Sequence, residues 1–399
     1  MRRVELRERP DWRRRVESQG LGYAVDDRSG LAYWHERHAY EFTDDEIDYL
    51  ERLTEELHRM CVEAGRHLVE RDPLWRSLGL PDAARDLLRT SLATEQQDSL
   101  YGRFDLAWDG VGAARLLEYN ADTPAGLVEA AVTQWDWLEW AFPEHDQWNM
   151  LHERLTKAWR EIAASHGVRQ VHLAAGQGEP SEDWCTVAYL ADTAAEAGLE
   201  PVTLSMEEVG WHHERLRFVD TEDRDIALIF AMYPWEWKLT EAFGKHLLEG
   251  THRTVFIEPA WKCLLSSKTI LVALHEIYPD HPSVLPATLG EPGPWRGYVS
   301  KPVFGWEGAG IEVVTPDHVH RQRAGHTAGQ ALVHQAYTPL GSFDGAHPVL
   351  GTWVVRGRSA GLGIRESDGP VTDPDARFLP HYMTTSRSTP DQVSDWLRE

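Results

Sequence analysis

Two alternating runs joined by a glycine turn constrain this chain more than anything else in it. They are Ser99-Leu-Tyr-Gly-Arg-Phe-Asp105, continuing to Trp108, and Leu117-Glu-Tyr-Asn-Ala-Asp-Thr123. Phe104, Leu106 and Trp108, then Leu117 and Tyr119, alternate with polar residues, which is the period of a β-strand. Asp109-Gly110, with Gly112 close behind, supplies the turn between them. Residues at i and i+2 share a strand face, so Arg103 and Asp105 point one way. Glu118 and Asn120 also share a face, and hairpin pairing can bring the two faces together. One guanidinium, two carboxylates and one amide oxygen then occupy a small volume. Hard oxygen donors of that kind suit Mg²⁺, which keeps some waters and takes its remaining ligands from phosphates. An adjacent arginine suits a phosphate or a carboxylate. The plainer reading is a hairpin whose polar face meets solvent and carries a surface ion pair.

At 399 residues the chain is too long for one ordinary core, and its pattern divides it in three. Residues 1–167 read as a mainly helical region carrying the hairpin. Its first forty residues look irregular. Thr43-Asp-Asp-Glu46 is a capping box opening a long helix to about Glu70, with Ile47, Leu50, Leu53, Leu57 and Met60 on one stripe. Further helices are expected near 82–93, 125–140 and 146–166. Residues 168–257 alternate strand and helix, with strands at 168–174, 201–204 and 225–230 and helices at 182–197 and 236–249. That alternation implies a parallel α/β sheet. Residues 258–399 show a helix near 267–277 and then strands at 297–303, 311–314, 332–337, 349–356 and 359–365. This is an α+β pattern with an antiparallel sheet.

Composition excludes several functions. A net charge of −24 repels DNA and RNA and attracts cationic small molecules. No run of about 18 apolar residues is present, so no membrane span is expected. The N-terminal Met1-Arg-Arg-Val-Glu-Leu lacks an apolar signal core, so a cytoplasmic chain is expected. Cys61, Cys185 and Cys263 are isolated and read as buried reduced thiols. His275-Glu276 and His212-His213 lack the partners a metal site needs.

Arginine is the default base here; lysine occurs only at positions 157, 238, 245, 262, 268 and 301. A lysine at a motif position is therefore informative. Lys301 sits on a strand before the glycines Gly305, Gly308 and Gly310, which let backbone N–H groups approach phosphate oxygens. The order is not that of a P-loop, and a plain hairpin remains the alternative. In Glu258-Pro-Ala-Trp-Lys-Cys-Leu-Leu-Ser-Ser-Lys268, Ser266 or Ser267 can cap the helix that Lys268 enters. The strand Ala331 to Tyr337 can offer main-chain donors and acceptors to an adenine edge.

Together these residues resemble a family. Ser99 to Asp105, Leu117 to Pro124, Glu258-Pro-Ala-Trp261 with Ser267-Lys268, Tyr298 to Gly308, and Gly361-Leu-Gly-Ile-Arg-Glu366 look like the synthetase part of glutathionylspermidine synthase, and more closely its stand-alone homologues without the amidase domain. The resemblance runs in order from about residue 5 to 385. It implies an ATP-grasp-like fold with circularly rearranged motif order, in which several lobes surround a nucleotide cleft. It implies Mg²⁺ at Asp105, Glu118 and Asn120, and ATP phosphates at Lys268 and Lys301. Arg103 would touch both ATP and the acyl substrate, and Gly308, Gln335, Ala336 and Tyr337 would line the nucleotide site. Thr123 and Glu182 would lie in the peptide-substrate region, and Arg365 near the reacting phosphate. The implied activity is an ATP-dependent ligase joining a peptide-like acid to a polyamine-like amine through an acylphosphate. A catalytically degenerate ATP-binding protein and a phosphotransferase are the alternatives. One departure stands out: Trp306 occupies a glycine-rich-loop position where the family usually carries arginine.

Overall fold

The hairpin forms where its pattern puts it, and the rest of the molecule closes over both of its faces. The computed structural model describes residues 1–25, 30–93, 98–176, 181–305, 308–321, 329–369 and 376–385. Strands Tyr101–Ala107 and Arg115–Asn120 pair antiparallel, with Arg103 opposite Asn120 and Asp105 opposite Glu118. In the connection the Asp109 carboxylate accepts from the Val111 N–H at 2.9 Å, and Gly110 takes φ +90°, which a side chain would oppose.

The apolar face of the hairpin meets the helix Asp44–Glu70. The Thr43 hydroxyl accepts from the Glu46 N–H, and the Glu46 carboxylate accepts from the Thr43 N–H at 2.9 Å, so the expected capping box starts this helix. Its stripe of Ile47, Leu50, Leu53, Leu57 and Met60 is buried in one core with Phe104, Leu106 and Tyr119. Phe104 and Tyr119 stack at 3.8 Å, and His58 Nδ1 lies 3.0 Å from the Tyr119 hydroxyl. Each such leucine or phenylalanine contributes about 1.5–3 kcal/mol by leaving water. The opposite, polar face is not solvated either: Arg103 is 9% exposed and Asp105 4%. That rules out the plain hairpin with a wet polar face.

The hairpin is one edge of a five-stranded antiparallel sheet, here the central sheet. Its order is Arg377–Leu379, Arg358–Ser367, His347–Val355, Tyr101–Ala107, Arg115–Asn120. It thus draws strands from the first and the third sequence segments. A second antiparallel sheet, the roof sheet, runs Ala287–Leu289, Leu332–Ala336, Tyr298–Pro302, Glu312–Val314, Val319–Arg321. The strands expected in one C-terminal sheet therefore split between two. Residues 170–257 form the expected parallel sheet, ordered Val255–Ile257, Leu228–Met232, Gln170–Ala175, Glu200–Ser205.

Three local readings need correction. The first forty residues are not wholly irregular: Arg2–Glu5 and His38–Thr43 pair in a small sheet with His381–Thr384, and Trp12–Ser18 is helical. The helix expected at 236–249 is broken into Trp235–Thr240 and Gly244–Leu248. A Cβ on Gly244 would stand 2.6 Å from the Leu239 carbonyl oxygen, so only glycine permits that close turn. Cys61 and Cys263 are buried, but Cys185 is only half-buried. Among the described residues no helix is long and apolar enough to cross a membrane.

A buried ion pair pins the hairpin's first strand. Glu258 is fully buried, accepts the N–H groups of Leu100 and Tyr101, and pairs with Lys262 at 2.6 Å. Lys262 also donates to the Tyr101 carbonyl at 2.5 Å. The Glu258-Pro-Ala-Trp motif thus anchors the strand that carries Arg103 and Asp105.

Candidate active site

The central and roof sheets enclose a cleft of about 770 Å³, counted to its open mouth. Asp105, Glu118 and Arg365 line it from the central sheet, and Lys301, Gln335 and Tyr337 from the roof sheet; Ala336 and Gly308 complete that wall. Strand alternation explains the convergence. Asp105 and Glu118 share a face because they are opposite in register, and Lys301 sits opposite Val333 in the strand beside Gln335.

Glu118 is the hub of the cationic side. Lys268 Nζ lies 3.1 Å from its carboxylate, and the Asn120 amide N–H donates to it at 3.2 Å. Burial opposes ionisation, but Lys268 and Lys301 outweigh it and hold this carboxyl well below the usual carboxylate range. Lys301 donates to the Leu117 carbonyl at 2.7 Å and to Gln335 Oε1 at 2.9 Å. Burial pushes its ammonium down to about 8, against the pull of Glu118. Gln335 completes the bridge by donating to the Leu116 carbonyl at 2.9 Å. Lys301 and Gln335 of the roof sheet thus couple it to the central sheet across the cleft.

Asp105 is the hub of the other side. Arg103 clamps it with Nε at 2.7 Å and Nη2 at 3.2 Å, and Arg365 Nη2 reaches the same carboxylate at 3.1 Å. Arg103 also donates through Nη1 to the Ala125 carbonyl. Beyond Asp105 lies a narrower crevice, about 310 Å³ only when counted out into open solvent, lined by Arg103, Arg365, Glu182, Gly126, Trp353 and Phe378. Its floor is Gly351 and Gly363, which are paired across two strands. A Cβ on Gly351 would stand 2.9 Å from Arg103 Cδ, and one on Gly363 2.8 Å from the Phe378 ring. The two glycines let those side chains lie flat on the sheet. Asp105 and Arg365 line both cavities.

The structure therefore gathers the sequence-derived residues in two adjoining spaces. Asp105, Glu118, Lys301, Gly308, Gln335, Ala336, Tyr337 and Arg365 line the cleft, and Arg103 and Glu182 the crevice. Lys268 and Asn120 join through Glu118. Thr123 is partly buried just beyond the hairpin strand. Trp306 lies outside the described residues. Among the described residues no group of three or more His, Cys, Asp or Glu is arranged to hold a metal ion; the donor set here is two carboxylates and an amide.

Two expectations change. Neither serine caps the helix Thr269–Ile277, whose N-cap is Lys268 itself. The Ser266 hydroxyl instead accepts the N–H groups of Ala121 at 3.1 Å and Asp122 at 2.8 Å, and the Ser267 hydroxyl donates to Leu264. Ser266 thus ties the end of the hairpin to the segment presenting Lys268. The N–H groups of Ala336 and Tyr337 already donate to Pro286 and Gly297, so these main-chain donors are committed within the fold. Trp353, Gly351 and Phe378 escaped the sequence reading because nothing local marks them; only strand register sets them beside Arg103.

Comparison with known proteins identifies the family. At 38% identity over 390 residues the chain is similar to a Haemophilus influenzae protein named "Putative acid--amine ligase", covering 94% of this chain and 97% of that one. It is 26% identical over 352 residues to trypanothione synthetase of Crithidia fasciculata and 24% identical over 370 residues to the bifunctional glutathionylspermidine synthetase/amidase of Escherichia coli. These matches cover 81% and 86% of this chain but only 53% and 59% of those longer proteins. A glutathione synthetase-like effector from Globodera pallida superposes with a TM-score of 0.54 at 10% identity, over 95% of this chain and 98% of that one, which shows a shared fold. The family described as glutathionylspermidine synthase preATP-grasp matches residues 3–384. By that match over nearly its whole length, the chain belongs to the glutathionylspermidine synthase family.

Proposed function

We propose that this protein is an ATP-dependent acid–amine ligase that forms an amide through an acylphosphate, on an ATP-grasp arrangement whose hairpin precedes its lysines. The observation that carries this reading is Asp105. It lies between a cleft walled by the buried Lys301, with the buried Lys268 held to the lining Glu118, and a crevice walled by two arginines, and it lines both. Phosphoryl transfer between a nucleotide in one and a carboxylate in the other needs such a junction.

The roles follow from chemistry. Lys268 and Lys301 hold the ATP phosphates, and the Gln335–Tyr337 segment and Gly308 border the nucleotide. Asp105, Glu118 and the Asn120 amide oxygen fit a hard cation that completes its shell with phosphate oxygens and water. Mg²⁺ held there supplies charge neutralisation on the transferring phosphoryl group. The acid's carboxylate, oriented by Arg103, attacks the γ-phosphorus, and Arg365 stabilises the charge on the transferred group. Thr123 and Glu182 border the peptide-like acid, and the amine then attacks the acyl carbon, releasing phosphate.

The test is a screen of carboxylate and amine pools with MgATP, reading ADP release and product mass. Release that requires both an acid and an amine supports the ligase. Phosphorylation without an amine would make the protein a phosphotransferase, and tight ATP binding without turnover a degenerate member.

A further inference from the structure

Trp353 is fully buried, and among the described residues its indole Nε1 has no hydrogen-bond partner. A buried donor left unpaired is costly, so it needs an explanation. Its position offers one. Trp353 stands opposite Arg103 on one neighbouring strand and opposite Gly361 on the other, on the face that carries Asp105 and Arg365. The Arg103 guanidinium lies 5.7 Å from the indole ring centroid. A Cβ on Gly363, the floor of the crevice, would stand 3.4 Å from Nε1. The N–H edge therefore lies at the glycine floor of the crevice, beside the Phe378 ring that also lines it.

We propose that the Trp353 indole N–H is a further catalytic donor, acting with Arg103 and Arg365 on the oxyanion that forms when the amine adds to the acyl carbon. This rests on the acylphosphate reading above. The arginines are partly occupied: all three Arg103 nitrogens donate to Asp105 or Ala125, and Arg365 donates to Asp105. Trp353 is uncharged and does not compete for that carboxylate. In the step it serves, the amine lone pair forms the C–N bond while the carbonyl π pair moves to oxygen. The C–O bond to phosphate then breaks, its electron pair leaves on phosphate, the carbonyl re-forms, and the surplus amine proton passes to the departing phosphate. Trp353 keeps its proton and lends only a hydrogen bond, in a dry site where such bonds act most strongly.

The probe is methylphosphonate, a small tetrahedral oxyanion, titrated against the protein in the presence of MgADP. Trp353→Phe keeps a ring and removes the N–H. The indole signal missing from that variant identifies Trp353 in ¹H–¹⁵N spectra of the wild type. The expected result is a saturable downfield shift of that signal, with Kd for methylphosphonate weakened about tenfold or more in Trp353→Phe at unchanged Tm. If the variant does not fold, Gly363→Ala sets a methyl against the N–H and is read in the same way. Equal affinity in wild type and variant with an unmoved indole signal overturns the proposal and leaves the ligase reading standing. Failure of methylphosphonate to bind the wild type at all overturns the proposal, whereas the ligase reading stands or falls on the acid- and amine-dependent ADP release described above.

Discussion

Lys301 lets binding and stability be driven in opposite directions by one proton. Its ammonium is buried, its two hydrogen-bond acceptors are neutral oxygens, and burial lowers its pKa from 10.5 to about 8. Below pH 8 both folded and unfolded chains carry the proton, and the folded state bears the cost of burying it. As pH rises from 8 towards 10.5 the folded protein sheds the proton first. Stability from this group therefore increases through that window, by at most about 3 kcal/mol. Nucleotide binding should do the reverse, because the phosphates need the ammonium. MgATP affinity, measured by titration calorimetry without acid or amine, should be level up to pH 8 and then weaken about tenfold per pH unit, until the complex itself deprotonates. Lys301→Met should remove that slope and weaken binding at pH 7 by about 1.5–3 kcal/mol, the loss of one charge-assisted bond. A wild-type affinity independent of pH between 7 and 9.5, or Lys301→Met binding MgATP like the wild type, would refute this placement of the phosphates.

Asp105→Asn should abolish ATP turnover, a loss of at least about 10²–10³, in a protein that still folds but with a lowered Tm, because Arg103 and Arg365 lose the charge of their shared carboxylate; near-normal turnover at millimolar Mg²⁺ would remove the hairpin from the chemistry. Glu258→Ala strands the buried Lys262 ammonium and two N–H groups, so denaturant unfolding should show a loss of about 3–5 kcal/mol. Glutathione and spermidine with MgATP should give no conjugate by mass, because Trp306 stands where the family resemblance implies an arginine that would meet a multiply anionic acid. Efficient conjugate formation would show that the indole is tolerated, and if none forms, recovery in Trp306→Arg would place the defect in that side chain.

What was legible in the sequence follows the range of the interactions involved. The Arg103–Asp105 and Glu118–Asn120 faces were readable because alternation and a Gly turn fix them within about twenty residues. The Thr43 capping box was readable because it is complete in four. Arg365 reaches Asp105 across 260 positions, and no spacing rule spans that; only the family resemblance pointed to it. Ser266 shows the converse limit. A hydroxyl near a helix start looks like a cap, yet it accepts N–H groups from residues 144 and 145 positions away. The division of the C-terminal strands between two sheets was also hidden, since alternation reports which face is apolar but not which strand lies alongside. Trp353 is invisible for the strictest reason: an unpaired donor is defined only once every neighbour is known.

The central claim is that the acid's own carboxylate takes the γ-phosphoryl group before the amine arrives. The direct test uses the acid returned by the ADP-release screen, labelled with ¹⁸O in both carboxylate oxygens, in a complete reaction with MgATP and the amine. The account predicts one ¹⁸O in each phosphate released, with ADP, phosphate and amide formed in equal amounts. Phosphate free of ¹⁸O in the presence of amide product would mean that no acylphosphate forms, and would contradict it.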